Sequence, residues 1–245
     1  RRQRQMCIRD RNRRAFLLMN FYRYESEIKT PFAPKFEIIL LEDIVQEDFT
    51  NLKNTILERE EKIISDNEFE SDWGTGLGKK SLTSRSSNYN LLSWEESSGL
   101  KKVIKHYHDA IIEKMSLDKR NVYCQCWANV MRNGEKIKLH RHSHDEWTYL
   151  SGHICIETNN TSTYYVHPYS KEPFGSKNEN NKITIFPSWM EHYTDRYRGE
   201  EPRITIAFDL YSEDAFHIKI IPEKKTHWIL PVSYTHLTLP TTYTV

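Results

Sequence analysis

The 245-residue chain is poor in the residues that mark disulfide scaffolds, collagens and disordered linkers: it has four Cys, eight Gly and nine Pro. So few cysteines, without framework spacing, exclude a disulfide-stapled fold and fit a reducing cytoplasm. No apolar run approaches the ~20 residues of a membrane helix and no signal peptide is visible, so no membrane association is expected. A charge excess is also lacking. The 35 Lys+Arg nearly balance the 34 Asp+Glu, a formal +1, which gives no global electrostatic case for nucleic acid or a lipid surface. Internal repeats are missing as well.

The two ends are expected to be foreign to the protein. Arg1 to Asp10 reads RRQRQMCIRD and Val232 to Thr241 reads VSYTHLTLPT. One choice of codons for the first stretch has a reverse complement that encodes the second, residue for residue. Residues 1–11 and 232–245 therefore read as translated sequencing adapter, and they are set aside from the fold argument. Cys7 goes with them, leaving Cys124, Cys126 and Cys155. Residues 1–10 carry a net +3, so the remaining chain is close to neutral at −2.

What is present falls into two zones. Residues 12–121 form an N-terminal region of helices and loops expected to pack on the core, and 122–231 form that core. Phe36-Glu37-Ile38-Ile39-Leu40-Leu41 is extended and apolar. Asn51 to Ser65 carries Leu52, Ile56, Ile63 and Ile64 at helical spacing behind Thr50 as a cap. Asp66 to Tyr89, with Gly74, Gly76 and Gly78, is a long loop expected to lie over the site as a lid; it lacks the flanking strand and helix of a phosphate loop. Ser98 to Leu117 is the clearest helix, with Leu100, Val103, Ile104, Tyr107, Ile111 and Met115 on one face. His106 and His108 on it are expected to be solvated.

From Val122 the period changes to two. Val122–Met131 alternates Tyr123, Gln125, Trp127 and Asn129 against Cys124, Cys126, Ala128 and Val130. The Cys124-x-Cys126 pair has no second pair to make a zinc site, so both are read as small residues packing on a helix. Further strands are expected at 147–157, 163–167, 182–186 and 203–210, punctuated by Gly134, Gly152, Asn159-Asn160, Gly175 and Gly199. Short strands separated by turns predict a mainly β chain with N-terminal helices (α+β), folded as a double-sheet jelly roll of the cupin-like kind.

The chemistry concentrates in the core. His140 and His142 are two apart, so on a strand they share a face, and His192 from a distant segment can close a facial metal site. Arg203 and Thr205 supply a planar donor fork and a hydroxyl, which suit a dicarboxylate. The pattern predicts Fe(II) with 2-oxoglutarate. His144, His153 and His167 are read as solvated.

Residues 123–210 resemble the 2-oxoglutarate/Fe(II)-dependent oxygenase family of bacteria and marine phages. The resemblance rests on Trp127-Ala128-Asn129, Gly134, His140-x-His142, Leu150-Ser151-Gly152, Phe186-Pro187-Ser188-Trp189 with His192, and Arg203-Ile204-Thr205-Ile206-Ala207-Phe208. Tyr89-Asn90-Leu91-Leu92-x-Trp94 is similar to the family's segment ahead of its helix. It implies a double-stranded β-helix with iron held by His140, His142 and His192. It also implies 2-oxoglutarate held by Arg203 and Thr205 with help from Asn129, and O2-dependent hydroxylation coupled to succinate release. The wider superfamily has a carboxylate where this chain has His142, so His144, Asp145 or Glu146 stay open as the middle ligand. The abundance of Asn, Lys and Ile implies AT-rich coding, in keeping with a phage or marine metagenomic source and a bacterial or phage-infected host cytoplasm. The primary substrate is not legible.

Two rival readings remain. Gly134-x5-His140-x-His142-x3-Glu146-x5-Gly152 is nearly a cupin motif, which would make Glu146 a fourth ligand in a dioxygenase or isomerase that works without 2-oxoglutarate. A non-catalytic jelly-roll module would instead use aromatics such as Tyr164, Tyr165 and Tyr169 as a recognition surface.

Overall fold

In the computed structural model the described residues are 19–25, 30–32, 35–69, 71–118, 120–142, 148–214 and 228–230. Both expected adapter stretches, and His144, Asp145 and Glu146, lie outside them.

The strands are β1 Met19–Glu25, β2 Lys35–Ile44, β3 Val122–Met131, β4 Thr148–Glu157, β5 Ser162–Val166, β6 Pro173–Lys177, β7 Lys182–Pro187, β8 His192–Thr194, β9 Arg203–Ser212 and β10 Trp228–Leu230. The helices are α1 Thr50–Asp66 and α2 Ser98–Lys114. Seven strands form one sheet in the order β1-β2-β7-β4-β9-β3-β10, and three form a second in the order β6-β5-β8. Every pairing is antiparallel. The extended stretch 137–140 adds to the small sheet beside β8, since His140 and His192 exchange backbone N–H···O bonds of 3.1 and 2.9 Å. Chain order then alternates between the sheets: β3 in the large one, 137–140 in the small, β4 in the large, β5 and β6 in the small, β7 in the large, β8 in the small, β9 in the large. That alternation is the winding of a double-stranded β-helix, as expected.

Helices do not precede strands, however. β1 and β2, from the region expected to be mainly helices and loops with one extended apolar stretch at Phe36–Leu41, extend the large sheet beyond β7. β6 and β8 were also unforeseen. Each is short, and β8 has only three residues, too few for an alternating pattern to register. Gly152 and Gly175 fall inside strands rather than between them. At Gly152 a Cβ would come within 2.4 Å of the Phe208 ring and 2.7 Å of the Thr184 carbonyl, so this glycine admits a close crossing of β4 over its neighbours.

The outer face of the large sheet holds the main core. Cys124, Cys126, Ala128, Ile206, Phe208 and Leu210 are buried in one cluster with Leu100, Val103, Ile104, Tyr107 and Ile111 of α2. The Val, Leu, Ile and Phe side chains among them each contribute about 1.5–3 kcal/mol when fully buried. The 3.6-residue spacing on α2 and the two-residue spacing on β3 are thus read out against each other. Cys124 and Cys126 are free, buried thiols, as expected of small packing residues. Helix α1 begins at Thr50, but Thr50 is not its cap. Phe49 holds that position without a side-chain bond, and Asp48 Oδ1 accepts the Thr50 N–H at 2.9 Å. Arg132, just beyond β3, grips Glu60 of α1 through two bonds of 3.0 and 2.7 Å. His106 is exposed. His108 is not: it is 2% exposed, and its Nε2 lies 2.7 Å from the Tyr149 hydroxyl. The neighbouring Val103, Tyr107 and Ile111 turn that side of the helix toward the sheet, so the ring goes inside with them. No helix among the described residues is long and apolar enough to cross a membrane.

Candidate metal centre

The inner face of the large sheet is polar where the outer face is apolar. Register puts Met131, Asn129, Trp127 and Gln125 of β3 beside Arg203, Thr205, Ala207 and Asp209 of β9. On the other side of β9, Cys155, His153 and Ser151 of β4 face Thr205, Ala207 and Asp209. The small sheet covers this face, and a narrow cleft lies between them.

His140, His142 and His192 converge at this cleft, with their ligand atoms all within 4.8 Å of one another. Each ring is engaged on its outer nitrogen. His140 Nδ1 lies 2.9 Å from the Lys138 carbonyl, His192 Nδ1 lies 3.1 Å from the Met190 carbonyl, and His142 Nδ1 lies 2.6 Å from Asp209 Oδ1. A carbonyl can only accept, so Nδ1 of His140 and His192 must carry the hydrogen, and a carboxylate imposes the same tautomer on His142. Three Nε2 lone pairs are left facing one another. Burial, followed by the His142 charge, pushes His140 down to about 4. Burial, followed by the His140 charge, holds His192 well below its ordinary value. Neutral imidazoles with converging lone pairs repel unless a cation lies between them, so the donor set fits a divalent metal. All-nitrogen donors suit iron, zinc, copper or nickel alike.

Asp209 was not singled out in the sequence. It accepts bonds from Ser151 Oγ (2.6 Å) and from His142, and with the Ser151 hydrogen so committed, Ser188 Oγ donates to Ser151 Oγ at 2.8 Å. Its one available signal was parity, since Arg203, Thr205, Ala207 and Asp209 share a face of β9. The carboxylate missing from the expected ligand triad is therefore present one bond further out, behind the imidazole.

Arg203 is 1% exposed, the largest fully buried side chain among the described residues. Its Nε donates to Thr161 Oγ1 at 3.0 Å, and its Nη1 meets only the Met131 sulfur at 3.6 Å. No carboxylate pairs with it among the described residues. Burial lowers its pKa, the direction expected of a cation without an anion. A buried guanidinium with most of its five donors idle is costly unless an anion arrives. Thr161 is buried as the brace of this arginine. Thr205 and Asn129 line the cleft with Arg203, and Asn129 Oδ1 accepts from Thr83 Oγ1 at 2.5 Å.

Residues 72–86 reach the cleft at Thr75 and, through Thr83, at Asn129. Thr75 lines it, and its carbonyl accepts the Lys138 N–H at 2.7 Å. Asp72 ties the turn through Gly74 N–H (3.2 Å) and Gly78 N–H (3.0 Å). His153, expected to be solvated, is 9% exposed and lines the cleft. It sits mid-strand on the inner face of β4, where parity leaves it no route to water. His167 is half-buried, its Nδ1 accepting from the backbone N–H groups of Tyr169 and Ser170. Of the three tyrosines offered as a recognition surface, Tyr165 is fully buried in the small sheet's core, Tyr164 stacks on Tyr193 with centroids 5.1 Å apart, and Tyr169 is exposed.

Fold and site define a jelly-roll protein in which three converging histidines that could hold a metal ion lie in one cleft with a buried arginine that no carboxylate pairs among the described residues. Residues 125–209 match the family model described as "Putative 2OG-Fe(II) oxygenase". The matched segment runs through the part of the chain from β3 to β9 that lines most of the cleft. No curated protein sequence matches the chain. Similar solved structures include a prolyl-4-hydroxylase from Pseudomonas putida (9% identity, 71% of this chain and 92% of that one, TM-score 0.49). The epimerase SnoN of nogalamycin biosynthesis, described as non-heme and alpha-ketoglutarate dependent, gives 10% identity, 71% and 77% coverage and a TM-score of 0.49. An oxidoreductase of the 2OG-Fe(II) oxygenase family from Burkholderia pseudomallei gives 11%, 80% and 74%, and 0.38.

Proposed function

We propose that His140, His142 and His192 hold Fe(II), and that Arg203, Thr205 and Asn129 hold 2-oxoglutarate beside it, for the O2-dependent hydroxylation of a substrate still to be identified. The observation that carries the reading is the buried, unpaired Arg203 in the same cleft as the three converging imidazoles. Metal and oxo acid together supply oxidation of a substrate C–H bond coupled to decarboxylation to succinate. The chain's own residues do the rest. The Lys138 and Met190 carbonyls and the Asp209 carboxylate keep the hydrogen on Nδ1 of each imidazole, so Nε2 is always the donor to metal. Arg203, braced by Thr161, presents its fork to the far carboxylate of the diacid, and Thr205 adds a hydroxyl. The small sheet and residues 72–86 keep bulk water from the guanidinium, which strengthens its grip on an anion.

Asp209 behind His142 offsets the charge that a third imidazole adds in place of a carboxylate. With His142 so placed, neither His144, Asp145 nor Glu146 is required as middle ligand. A cupin chemistry without the oxo acid would leave the buried arginine without a purpose, which favours the first reading. The three free buried cysteines accord with work in a reducing cytoplasm. The test is anaerobic loading with Fe(II), then O2 and 2-oxoglutarate with succinate as readout. Succinate should form only with both metal and oxo acid present, and Arg203→Ala should abolish it. Undiminished release in that variant would remove Arg203 from the role.

A further inference from the structure

One row across the inner face of the large sheet stands out. Strand register aligns Trp127 of β3, Ala207 of β9, His153 of β4 and Thr184 of β7 side by side. Three of these four carry a buried polar atom that makes no hydrogen bond: Trp127 Nε1, His153 Nε2 and Thr184 Oγ1. The residues are 8%, 9% and 1% exposed. Buried polar atoms without partners are rare and costly, at about 1–3 kcal/mol each. Three in one row are hard to explain as three separate accidents of packing.

The fourth member is the smallest, and its place in the row matters. Ala207 lies between Trp127 and His153, and all three line the cleft. A larger side chain at 207 would take up cleft volume between the two flanking residues. Along β9 the row lies one inward position from Asp209, which holds His142, and two from Arg203. Trp127 also touches the metal centre directly, its ring centroid 5.7 Å from that of His142. The row therefore sits between the guanidinium and the imidazoles, toward the imidazole end.

We propose that Trp127 Nε1–H and His153 Nε2–H form a donor pair that binds the metal-proximal, oxygen-rich head of a 2-oxo diacid, with Thr184 Oγ1 as partner of lesser weight. This rests on the function proposed above. Arg203 recognises one end of the co-substrate, and this row recognises the other, approached from the β3 side by the indole and from the β4 side by the imidazole. Indole can only donate. Neutral imidazole donates from one nitrogen, and a buried ring without a charged neighbour of opposite sign stays neutral. The pair thus offers hydrogen-bond donors without adding a second buried cation beside Arg203. It selects a head group rich in acceptor oxygens over an apolar one of equal size.

The test uses the full chain loaded anaerobically with Fe(II), titrated calorimetrically with 2-oxoglutarate so that no turnover occurs. His153→Leu removes the donor and His153→Gln restores one; Trp127→Phe removes the indole N–H while keeping a ring. Hydrogen bonds to a charged acceptor are worth about 1.5–3 kcal/mol, so His153→Leu and Trp127→Phe should each weaken binding ~10-fold or more, and His153→Gln should recover much of the loss. Iron affinity and melting temperature, measured on the same samples, should stay close to wild type in His153→Gln and Trp127→Phe. Binding unchanged in both His153→Leu and Trp127→Phe overturns the donor pair while leaving the proposed function standing. Weakening that tracks lost iron affinity in all three variants also overturns it, because the row would then be structural. A wild-type protein that takes up iron but no 2-oxoglutarate overturns the function itself.

Discussion

Strand β9 is two different molecules on its two faces. Outward, Ile204, Ile206, Phe208 and Leu210 are almost completely buried against the helices and the neighbouring strands. Inward, Arg203, Thr205, Ala207 and Asp209 are as deeply buried but carry a cation, a hydroxyl, a space and a carboxylate. The outer set stabilises the fold through transfer of apolar surface out of water. The inner set costs stability, since a cation and several donors are desolvated without full compensation. Residues of one strand, equal in burial, therefore differ in what their burial is for.

Mutations can break that contrast or sharpen it. The largest effect is expected on the outer face. Phe208→Ala should cost about 3–5 kcal/mol in urea unfolding, the range for a large buried aromatic. A shift below 1 kcal/mol would mean the sheet's outer packing is looser than its burial implies. On the cleft side, His192→Ala should lower Fe(II) affinity by more than ~100-fold, read by competition with a chelator, with only a small change in melting. Asp209→Asn should weaken iron binding ~10- to 100-fold, because the amide no longer enforces the His142 tautomer. Wild-type affinity in Asp209→Asn would leave the carboxylate without a part in the metal centre. Arg203→Met should lose 2-oxoglutarate binding yet raise metal-free stability by roughly 1–2 kcal/mol, the sign expected when an apolar chain replaces a buried charge. A lower stability would show that Thr161 and Met131 satisfy the guanidinium better than their bond count implies.

The smallest effect concerns pH. Burial, then the Arg203 charge, then Lys182 and His142 push His153 down to about 3. A histidine whose folded pKa lies below its unfolded value, near 6.5, is held neutral by the fold. The unfolded chain binds the extra proton first as pH drops. Stability from this group is thus fully present above about pH 6.5 and is lost progressively as pH falls from there toward 3. His153→Leu should flatten part of that slope in metal-free urea titrations. An identical slope would assign the acid sensitivity to other groups.

Much of this was visible in the residue order. The period-two runs at β3 and β9 and the helical face of α2 emerged because each depends on neighbours within a few residues. So did His140-x-His142, since parity alone puts both on one face. β8, with three residues, has no period to detect, and β2 carried its apolar signal without revealing that it would join the large sheet. His108 and His153 were misjudged for a related reason. A histidine's burial depends on which face its element turns inward, and composition does not report that.

Residue types and spacings alone therefore marked both helices and the longer core strands, and named the side chains that could act as metal donors or as an acid's counter-charge. Pairings between distant segments were a different matter. Asp209 reaches His142 across 67 residues, and Thr161 reaches Arg203 across 42. Alternation tells which face a residue takes, but sliding a strand by two residues keeps every face and changes every partner. Only the folded register selects one such alignment, and with it the row that brings Trp127, Ala207, His153 and Thr184 together.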